Sequence, residues 1–562
     1  MSVIVETAKK QIKNSIVKAI NKAMKNGALE QAEVPDFTIE VPSNRDHGDY
    51  AVNAAMVGAR VFHKAPRAIA EIITQNIDFE HSYIESFEIA GPGFINLFLK
   101  DSYYADIVAD VLDKKENYGK SDFGGGKKVL VEFVSANPTG PMHIGNARGG
   151  ALGDCLAAVL EAAGYYTERE FYINDAGNQI NKFGLSLDLR YLQIYKEGIE
   201  MPEDSYHGED IIAHAKAFAE IYGDSFIDKT EEERRKALVE FALPKNIEGL
   251  KNDLAKYRIT YDTWFKESTL HNNGETARII ELLKESGYTY ETEGALWFKA
   301  TDFGCDKDFV LVRANGVPTY VVPDIAYHYN KLVTRGFDKA IDILGADHHG
   351  YVPRLKGALT ALGVDADKLD VVLMQMVRLV RDGEVIKASK RSGKAITLVT
   401  LLDEVPIDAA RFFFNLREPN SHFDFDLDLA VNESNSNPVY YVQYAYARIC
   451  SIIRNLEAQG IALRECSADE LCLLTAPEEK ELILHIAGLT NEIISSAKAY
   501  DPAKITHYVE DLATKFHKFY SACRVKGENE GLMMARLNLC KACAIVIKNV
   551  LTLMKIDAPE KM

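Results

Sequence analysis

The sequence has few of the features that mark membrane, secreted or disulfide-stabilised proteins. No stretch reaches the ~18 uninterrupted apolar residues that a membrane helix needs. The N-terminus lacks a basic head followed by an apolar core and a small-residue cleavage site, so we expect an amphipathic helix there and no secretory signal. Eight cysteines in 562 residues are too sparse for a disulfide framework. These absences predict a cytoplasmic protein without a membrane partner.

Patterns that would hold a structural metal are incomplete. Cys540 and Cys543 have the spacing of half a zinc site, but no second half is present and the pair lies in an apolar helical run. Packing is therefore the better interpretation of these cysteines. Asp347, His348 and His349 are adjacent, yet no further ligand is close to them in the sequence. We predict that the protein binds no structural metal.

Positive charge is also scarce. The chain has 65 Lys and Arg against 82 Asp and Glu, which gives a net charge of −17. Taken alone, this balance argues against nucleic acid as a partner, because phosphate contacts need cationic side chains. The excess of acid is uneven, since residues 431–562 carry 15 basic against 16 acidic residues and the preceding part carries 50 against 66. The relative loss of acid in the C-terminal part is only a weak indication of an RNA partner.

Hydrophobic periodicity predicts an α/β protein of about three or four domains. A strand, a helix and a second strand follow one another between Lys127 and Ile173, as at the start of a Rossmann-type parallel sheet. We predict a further strand at 371–380 and a helical pattern from about 403 almost to the end. The predicted units are an N-terminal α+β domain at 1–115, a Rossmann-type parallel-sheet catalytic domain at 122–402 with a helical insertion at about 180–285, a connecting segment at 403–430 and an all-α helix bundle at 431–562.

A short motif follows the first strand of this sheet. His143, Gly145 and Asn146 lie between the strand and the start of the next helix. A helix N-terminus offers free N–H donors to a phosphate, and glycine lets a nucleotide approach the backbone. An imidazole can hydrogen-bond phosphate oxygens as charge shifts during a displacement. The tripeptide alone arises often by chance, but its place in a βαβ unit favours an ATP site.

A second motif is basic and contains Lys387, Ser389, Lys390, Arg391 and Lys394. Closely spaced cations with Ser and Gly between them suit a loop that grips phosphate. A solvated surface loop is the alternative, and in isolation it would be favoured. Because the first motif is present in the same chain, we favour the phosphate-binding interpretation. Together the two motifs describe attack on an α-phosphate, which is adenylyl transfer.

The two motifs resemble the signatures of class I aminoacyl-tRNA synthetases, and specifically of the arginyl branch. The stretch SANPTGPMHIGNARGG looks like the first signature, and IKASKRSG looks like the second. Further stretches similar to arginyl enzymes keep the family's order along almost the whole chain: HGDYAVNAAM, GALWFKATDFGCDKDFVL, PTYVVPDIAYH, LGADHHGYVPRLK, VQYAYARI and APEKM. The chain departs from the signatures at Asn146, which replaces His, and at Ala388 and Arg391, which replace Met and Ser.

The resemblance implies an arginine–tRNA ligase. Such an enzyme uses ATP to convert arginine to arginyl-adenylate with release of pyrophosphate, then transfers arginine to the 3′-terminal adenosine of tRNA(Arg). Two alternatives remain at this stage. One is a small-molecule adenylyltransferase of the same superfamily, which has no need for a helical C-terminal part. The other is a non-catalytic RNA-binding paralogue. Such a protein would tolerate loss of the signature residues, whereas His143, Lys387 and Lys390 are all present in this chain.

A pocket for arginine needs a carboxylate and an aromatic or apolar wall, because a guanidinium is planar and always charged. Tyr320 and Asp324 are four residues apart, and both can face one cavity if a helix starts after Pro323. From spacing alone, a buried tyrosine and a helix-capping aspartate are equally plausible. The resemblance favours the pocket and implies further residues in the arginine site: Glu132, Ser135, Asn137, Gln375 and, with a satisfied histidine as its alternative, His328.

The resemblance also implies which residues meet ATP and tRNA. Gly345, Asp347 and His348 match the ribose region, Met376 and Val377 match the adenine region, and Mg²⁺ is expected to accompany ATP. Phe94 and Asn96 match positions that meet a D-loop base. In the bundle, aromatic residues that can stack on unpaired bases alternate with polar ones, although half of them must form core. These residues are Tyr441, Gln443, Tyr444, Tyr446 and Arg448. We expect a monomer.

Overall fold

The computed structural model describes residues 3–42, 44–386, 396–527 and 529–562. Its N-terminal part packs helices against an antiparallel sheet with strand order β1-β2-β4-β3. Helix α1 is amphipathic, because Ile12, Ile16 and Ile20 recur every four residues and are buried on the side that faces α3 and α4. The elements are α1 Val3–Lys25, β1 Ile39–Glu40, β2 Tyr50–Val52, α2 Ala54–Phe62, α3 Pro66–Asn76, β3 Ile84–Ala90, β4 Phe94–Leu99 and α4 Asp101–Lys114.

The next part contains a parallel sheet with strand order β12-β11-β5-β6-β7. Helices connect its strands, and a smaller antiparallel sheet, β10-β9-β8, precedes α11. The elements are β5 Lys128–Glu132, α5 Ile144–Ala162, β6 Tyr166–Ile173, α6 Gly177–Tyr195, α7 Glu209–Tyr222, α8 Glu231–Lys256, β7 Thr263–Lys266, α9 Glu267–Asn272, α10 Glu275–Glu285, β8 Thr289–Thr292, β9 Ala295–Phe298, β10 Phe309–Val312, α11 Val321–Tyr329, β11 Lys339–Gly345, α12 Val352–Ala361 and β12 Leu369–Met374.

Strand order in this sheet creates a crevice. From β5 the chain moves outward through β6 and β7, then returns to the other side of β5 for β11 and β12. The crossover helices that leave β5 and β11 therefore lie on opposite faces, and a gap opens at the carboxyl ends of these two strands. Ligands of such sheets bind at this topological switch point.

A third sheet, β14-β13-β15, and a helix bundle complete the chain. Side chains at the helix starts cap the bundle, as when Asn437 Oδ1 accepts from the Val439 N–H. The elements are β13 Val377–Arg381, β14 Glu384–Val385, α13 Leu398–Glu404, α14 Ile407–Phe414, β15 Phe423–Asp426, α15 Leu427–Ala430, α16 Pro438–Glu457, α17 Ala468–Leu471, α18 Pro477–Ala487, α19 Leu489–Ala499, α20 Ala503–Ala522 and α21 Glu530–Leu553. Among the described helices, none combines the length and apolar character needed to cross a bilayer.

The structure differs from the predicted elements in three places. The expected strand at 371–380 is two strands, β12 and β13, which belong to different sheets. Strand β7 lies inside the stretch predicted as a helical insertion, and β15 lies inside the stretch predicted as helical. Both β7 and β15 are edge strands of four residues, and so short a stretch carries too little periodicity to stand out from its helical surroundings.

Helix α5 packs unusually close to the first strand of the parallel sheet. A methyl group added at Gly153 would overlap the ring of Phe133, which directly follows β5. Helix α5 begins at the switch point, so the distance between this helix and the sheet also determines where the first motif lies relative to the crevice. Glycine at this position is a packing requirement and not a source of flexibility.

We predict that Gly153→Ala destabilises the protein by about 1–3 kcal/mol, because it overpacks a tight contact. Scanning calorimetry should show this as a lower melting temperature. Gly249→Ala is the matched control, because Gly249 is also helical and no atom lies within 4 Å of an added methyl group there. The control should be neutral or stabilising by up to about 1 kcal/mol. Equal melting temperatures for the two variants would contradict the packing argument.

Candidate active site at the switch point

The segment that leaves β5 at the crevice contains a strained turn. Ser135 N–H donates to the main-chain oxygen of Phe133 at 3.0 Å, and Val134 between them has φ +69°. This is a γ-turn with a β-branched residue in the left-handed region, a conformation that costs free energy. Ser135 itself has φ +40°, and its Oγ donates to Glu132 Oε1 at 2.8 Å. Strained backbone of this kind occurs where surrounding contacts hold it for a functional purpose.

The first motif forms the start of α5. His143 is the N-cap residue, and its N–H donates to Asn146 Oδ1 at 3.1 Å. Asn146 therefore caps the helix, a task that needs no charge. His143 remains accessible to solvent, but the protein around its ring removes part of the water shell, and this desolvation lowers the pKa of the imidazole and favours the neutral form. Gly145 lies beneath this ring, because an added methyl group there would be 3.3 Å from it.

The second motif falls outside the described residues. Lys387, Ser389 and Lys390 are part of 387–395, and the structure resumes at Ile396. Immediately afterwards, Thr397 forms an antiparallel bridge with His143, and Leu398 N–H donates to the main-chain oxygen of Met142 at 2.9 Å. The chain that follows the second motif is thus bonded to the first motif.

Tyr320, Asp324 and Tyr351 come together at the crevice. Tyr320 is the N-cap of α11 and is 66% exposed, and its ring lies 5.9 Å from that of Tyr351. The hydroxyl of Tyr351 donates to Asp324 Oδ2 at 2.5 Å. Burial raises the pKa of Asp324 to about 6, against the opposing effect of this hydrogen bond. A carboxylate with two tyrosines beside it is suited to a planar cation.

Tyr351 was not among the residues predicted from the sequence. It precedes α12, in the stretch that the sequence assigned to the ATP ribose. The signal that could have found it is the resemblance of LGADHHGYVPRLK to arginyl enzymes, but that stretch gives no indication that its tyrosine reaches a carboxylate 27 positions earlier.

Two other predicted arginine-site residues are engaged inside the protein. Glu132 is buried, with Oε2 2.5 Å from the ammonium of Lys331 and Oε1 bound to Ser135. His328 is buried as well: its Nδ1 donates to the main-chain oxygen of Asp324 at 2.7 Å, and its Nε2 lies 2.6 Å from Asp342. Both side chains lie behind the crevice with their polar atoms already bonded. Asn137 is exposed on the loop between β5 and α5.

The residues predicted to meet the ribose and the adenine of ATP lie after β11 and β12, which are neighbouring strands. Gly345 ends β11, and the 3₁₀ turn that follows exposes Asp347 and His348. Gln375 lies between β12 and β13, and its main-chain oxygen accepts from Arg148 Nη1 at 2.8 Å. Two predicted adenine contacts follow, of which Met376 is 80% exposed and Val377 opens β13. In the part of the chain that the structure describes, no group of three or more His, Cys, Asp or Glu side chains is arranged to hold a metal ion.

The residues predicted to meet tRNA have different surroundings. Tyr444 is partly exposed on α16, and its ring is parallel to that of Tyr440 at 6.4 Å. Arg448 Nη1 donates to the hydroxyl of Tyr444 at 3.0 Å. Tyr446, in contrast, is 7% exposed and packs in the bundle core. The spacing of α16 puts residues 440, 444 and 448 on one face and residue 446 on another.

The remaining four predicted tRNA contacts are on α16 and β4. Gln443 Nε2 donates to Asp408 Oδ2 at 2.8 Å, and Tyr441 packs against the ring of His517 with centroids 5.0 Å apart. In the N-terminal domain, Phe94 is partly exposed and Asn96 is 2% exposed, both on β4. The structure therefore presents Phe94 at the surface and Asn96 inside.

Comparisons with known proteins agree with this architecture. Family models match an arginyl tRNA synthetase N terminal domain at 10–99, the catalytic domain of "tRNA synthetases class I (R)" at 107–434 and a DALR anticodon binding domain at 442–562. A Thermus thermophilus arginyl-tRNA synthetase structure shares the fold, with TM-score 0.72 and 22% identity over 97% of this chain and 99% of that chain. The fold and the site define a class I aminoacyl-tRNA synthetase.

Sequence identity narrows this class to one family. Arginine–tRNA ligases of Acetivibrio thermocellus and Caldanaerobacter subterraneus are each 55% identical to the chain, with 100% of both proteins covered in each case. The chain belongs to the arginyl-tRNA synthetase family, and it is a ligase that joins arginine to tRNA with ATP as a substrate. The predicted fold class, the resemblance and the enzymatic activity are confirmed.

The raised pKa of Asp324 predicts a pH dependence. A guanidinium binds the ionised carboxyl, so the KM for arginine should be constant above about pH 6 and should rise as the pH falls through that value. Tyr351→Phe removes the hydrogen bond that favours the ionised form, so the rise should begin at a higher pH. Steady-state aminoacylation at several pH values measures both effects. A KM that does not vary with pH in either protein would contradict this role of Asp324.

Proposed function

We propose that the switch point between β5 and β11 is where this ligase binds arginine and activates it with ATP. The observation that carries the proposal is the grouping of Asp324, Tyr320 and Tyr351 on the same crevice as the start of α5. Asp324 supplies the charge for the guanidinium, and Tyr320 supplies an aromatic wall. Ser135, Asn137 and Gln375 bind the polar end of arginine from the strand ends. This function requires the carboxylate oxygen of arginine to attack the α-phosphorus of ATP, with pyrophosphate leaving.

The two signature motifs handle the phosphates in this proposal. His143 and the N–H groups at the start of α5 bind phosphate oxygens, with Gly145 allowing close approach and Asn146 holding the helix end in shape. Lys387, Ser389 and Lys390 neutralise the leaving pyrophosphate. The bridge between Thr397 and His143 supports this assignment, because it ties the chain beyond the second motif to the first. A neutral imidazole at position 143 can donate a hydrogen bond to a phosphate oxygen without adding a further positive charge to the site.

We assign the remaining nucleotide contacts to the strand ends beyond β11. Gly345, Asp347 and His348 hold the ribose, and the backbone at Met376 and Val377 meets adenine. Mg²⁺ enters with ATP, bound mainly by phosphate oxygens, as is usual for this ion. Glu132 and His328, whose polar atoms are already engaged, act behind the arginine pocket and not as direct ligands. We further propose a cytoplasmic monomer.

Transfer to tRNA completes the reaction. A hydroxyl of the 3′-terminal ribose attacks the carbonyl carbon of arginyl-adenylate, and AMP leaves.

We propose the domain limits 1–115, 122–402, 403–430 and 431–562, with the first and last units binding tRNA. On α16, Tyr444 and Arg448 are the best placed to meet a base, while Tyr441 and Gln443 border them and Tyr446 supports them from the core. Phe94, with Asn96 beneath it, is the proposed contact of the N-terminal domain. A small-molecule adenylyltransferase would leave the anticodon-domain match unexplained.

The arginine site is tested with Asp324→Asn. Loss of the carboxylate leaves a buried guanidinium without its counter-charge, which typically costs about 3–5 kcal/mol. The KM for arginine should therefore rise steeply, measured as acid-insoluble label with labelled arginine, ATP and bulk tRNA. Asp306→Asn is the matched control, because Asp306 is exposed in the segment between β9 and β10 and is not one of the residues assigned to the site. An unchanged KM for arginine in Asp324→Asn would remove this residue from the pocket.

The tRNA-binding face is tested with two tyrosines of α16. Tyr444→Ala should weaken tRNA binding by about 1–3 kcal/mol, the usual value of a base stacked on an aromatic ring, while the melting temperature changes little. Tyr446→Ala should lower the melting temperature, because it removes a buried side chain. Filter binding and calorimetry on both variants measure these effects. Full tRNA affinity in Tyr444→Ala would show that this face does not bind RNA.

A further inference from the structure

Three buried carboxylates stand side by side on the central strands of the parallel sheet. Glu132 on β5 is paired in register with Asp342 on β11 and with Glu170 on β6, so the three side chains leave the sheet on one face. All three are less than a tenth exposed. Like charges at neighbouring positions repel, and burial strengthens the repulsion because water no longer screens it. We call these residues the carboxylate row.

The cations that neutralise the row come from one segment. A single π-helical turn, Asn330–Thr334, follows α11 directly. Its Lys331 is fully buried, with Nζ 2.5 Å from Glu132 Oε2 and 2.8 Å from Asp342 Oδ1. Burial opposes the charge, but Asp342 and Glu132 raise the pKa of this ammonium above its ordinary value. Lys331 is therefore a permanent cation between β5 and β11.

The other end of the row has its own partners. Arg335, just beyond the π-helical turn, lies 2.6 Å from Glu170 Oε2 and 2.8 Å from Glu168 Oε1. The hydroxyl of Tyr327 donates to Glu170 Oε1 at 2.6 Å. The ring of Tyr327 also lies 5.4 Å from that of His328 and 4.1 Å from Lys331 Nζ. Arg335, in contrast, pairs with Glu170 and Glu168 and not with Glu132 or Asp342, so each end of the row has its own cation.

One of the two carboxylates that Lys331 contacts, Glu132, connects it to the strained turn. Its partner Glu132 accepts from Ser135 Oγ through the other carboxylate oxygen, at 2.8 Å. Ser135 Oγ in turn accepts from the main-chain N–H of Tyr172 at 3.1 Å. The γ-turn at Val134 is unfavourable by itself, so these contacts determine where Ser135 lies.

The other bond of Lys331 leads to the helix that carries the proposed guanidinium ligand. Its partner Asp342 lies 2.6 Å from His328 Nε2, and His328 Nδ1 donates to the main-chain oxygen of Asp324 at 2.7 Å. Lys331 and His328 together hold the pKa of Asp342 below its ordinary value, although burial opposes them. The helix is therefore docked at this end by directional, charged contacts.

We propose that Lys331 is a positioning residue for arginine: its buried ammonium fixes the Ser135 turn and the Asp324 helix relative to each other, and so sets the width of the arginine pocket. The inference rests on the arginine site proposed above. Lys331 does not reach the crevice itself. An apolar residue at this position would leave Glu132 and Asp342 without the ammonium that they share, and the two walls of the pocket would separate.

The test uses a charge-balanced pair, Lys331→Met with Glu132→Gln, since Lys331→Met alone leaves an excess of buried negative charge and can fail to fold. Glutamine can keep the hydrogen bond to Ser135. We expect the KM for arginine to rise about ten- to a hundredfold, the effect of misplacing a substrate contact by a fraction of an ångström to an ångström. The KM for ATP and kcat should change little, because the phosphate contacts lie on α5 and the second motif.

The matched control is Arg335→Met with Glu170→Gln, which removes one cation and one carboxylate from the other end of the row. Calorimetry should show similar losses in melting temperature for the two pairs. The control pair should keep the arginine KM of the unmodified protein. The inference is overturned if both pairs change the KM values for arginine and ATP alike, or if the Lys331 pair leaves the KM for arginine unchanged.

Asp324→Asn separates this inference from the proposed function. If Asp324→Asn raises the KM for arginine and the Lys331 pair does not, the arginine site stands and the positioning role is wrong. If Asp324→Asn leaves the KM for arginine unchanged, the arginine site itself is misassigned, and the proposed role of Lys331 is then wrong as well.

Discussion

Parallel pairing of β11, β5 and β6 brings Asp342, Glu132 and Glu170 next to one another in the protein interior, and this arrangement is unstable without cations of fixed position. The need for compensation determines how α11 and its π-helical turn lie on the sheet. Apolar packing tolerates sliding and rotation, whereas a buried ammonium shared by two carboxylates does not. The start of the same helix presents Tyr320 and Asp324 at the crevice. The geometry of the proposed arginine site would therefore follow from electrostatics on the far side of the helix.

A second buried cation connects the catalytic domain to the end of the chain. Arg411 on α14 is fully buried and donates to the main-chain oxygens of Met554 and Tyr257, at 2.5 and 2.9 Å. It also pairs with Asp154 on α5, which Lys555 reaches at 2.9 Å. The chain beyond the bundle is thus bonded to the helix whose first turn carries the first signature motif. This continuity fixes the bundle relative to the active site, but contact alone does not show that anticodon binding alters catalysis.

The sequence predicted the fold class because its strongest signals are local. A strand, a glycine-rich turn and a long helix within 127–163 require a parallel sheet, and the apolar faces of α16 and α21 require a bundle. The short edge strands β7 and β15 were missed, since four residues hold little more than one repeat of a strand pattern. Cys540 and Cys543 are buried in α21, which agrees with packing.

The candidate site was predictable only where its residues lie close together in sequence. Tyr320 and Asp324 share one turn of helix, and the spacing suggested a common cavity. Tyr351 and Lys331 become part of the site through long-range contacts, which periodicity does not record. Glu132 is the converse case: it was predicted as part of the arginine site, but long-range contacts engage it elsewhere. Its charge made it a plausible arginine ligand, but strand register gives it Lys331 as a partner and so commits both of its oxygens elsewhere.

Asp324 differs from the carboxylates of the row in one respect that bears on selectivity. The row has Lys331 and Arg335, whereas Asp324 has a neutral hydroxyl, and burial raises its pKa to about 6. An incompletely compensated carboxylate favours a ligand that brings a permanent positive charge, which a guanidinium does at any physiological pH. A neutral analogue of arginine would leave the carboxylate as it is, and an ammonium would lack the planar surface that can stack on Tyr320. In the proposed arginine site, charge would therefore select against neutral side chains, and shape would select against lysine.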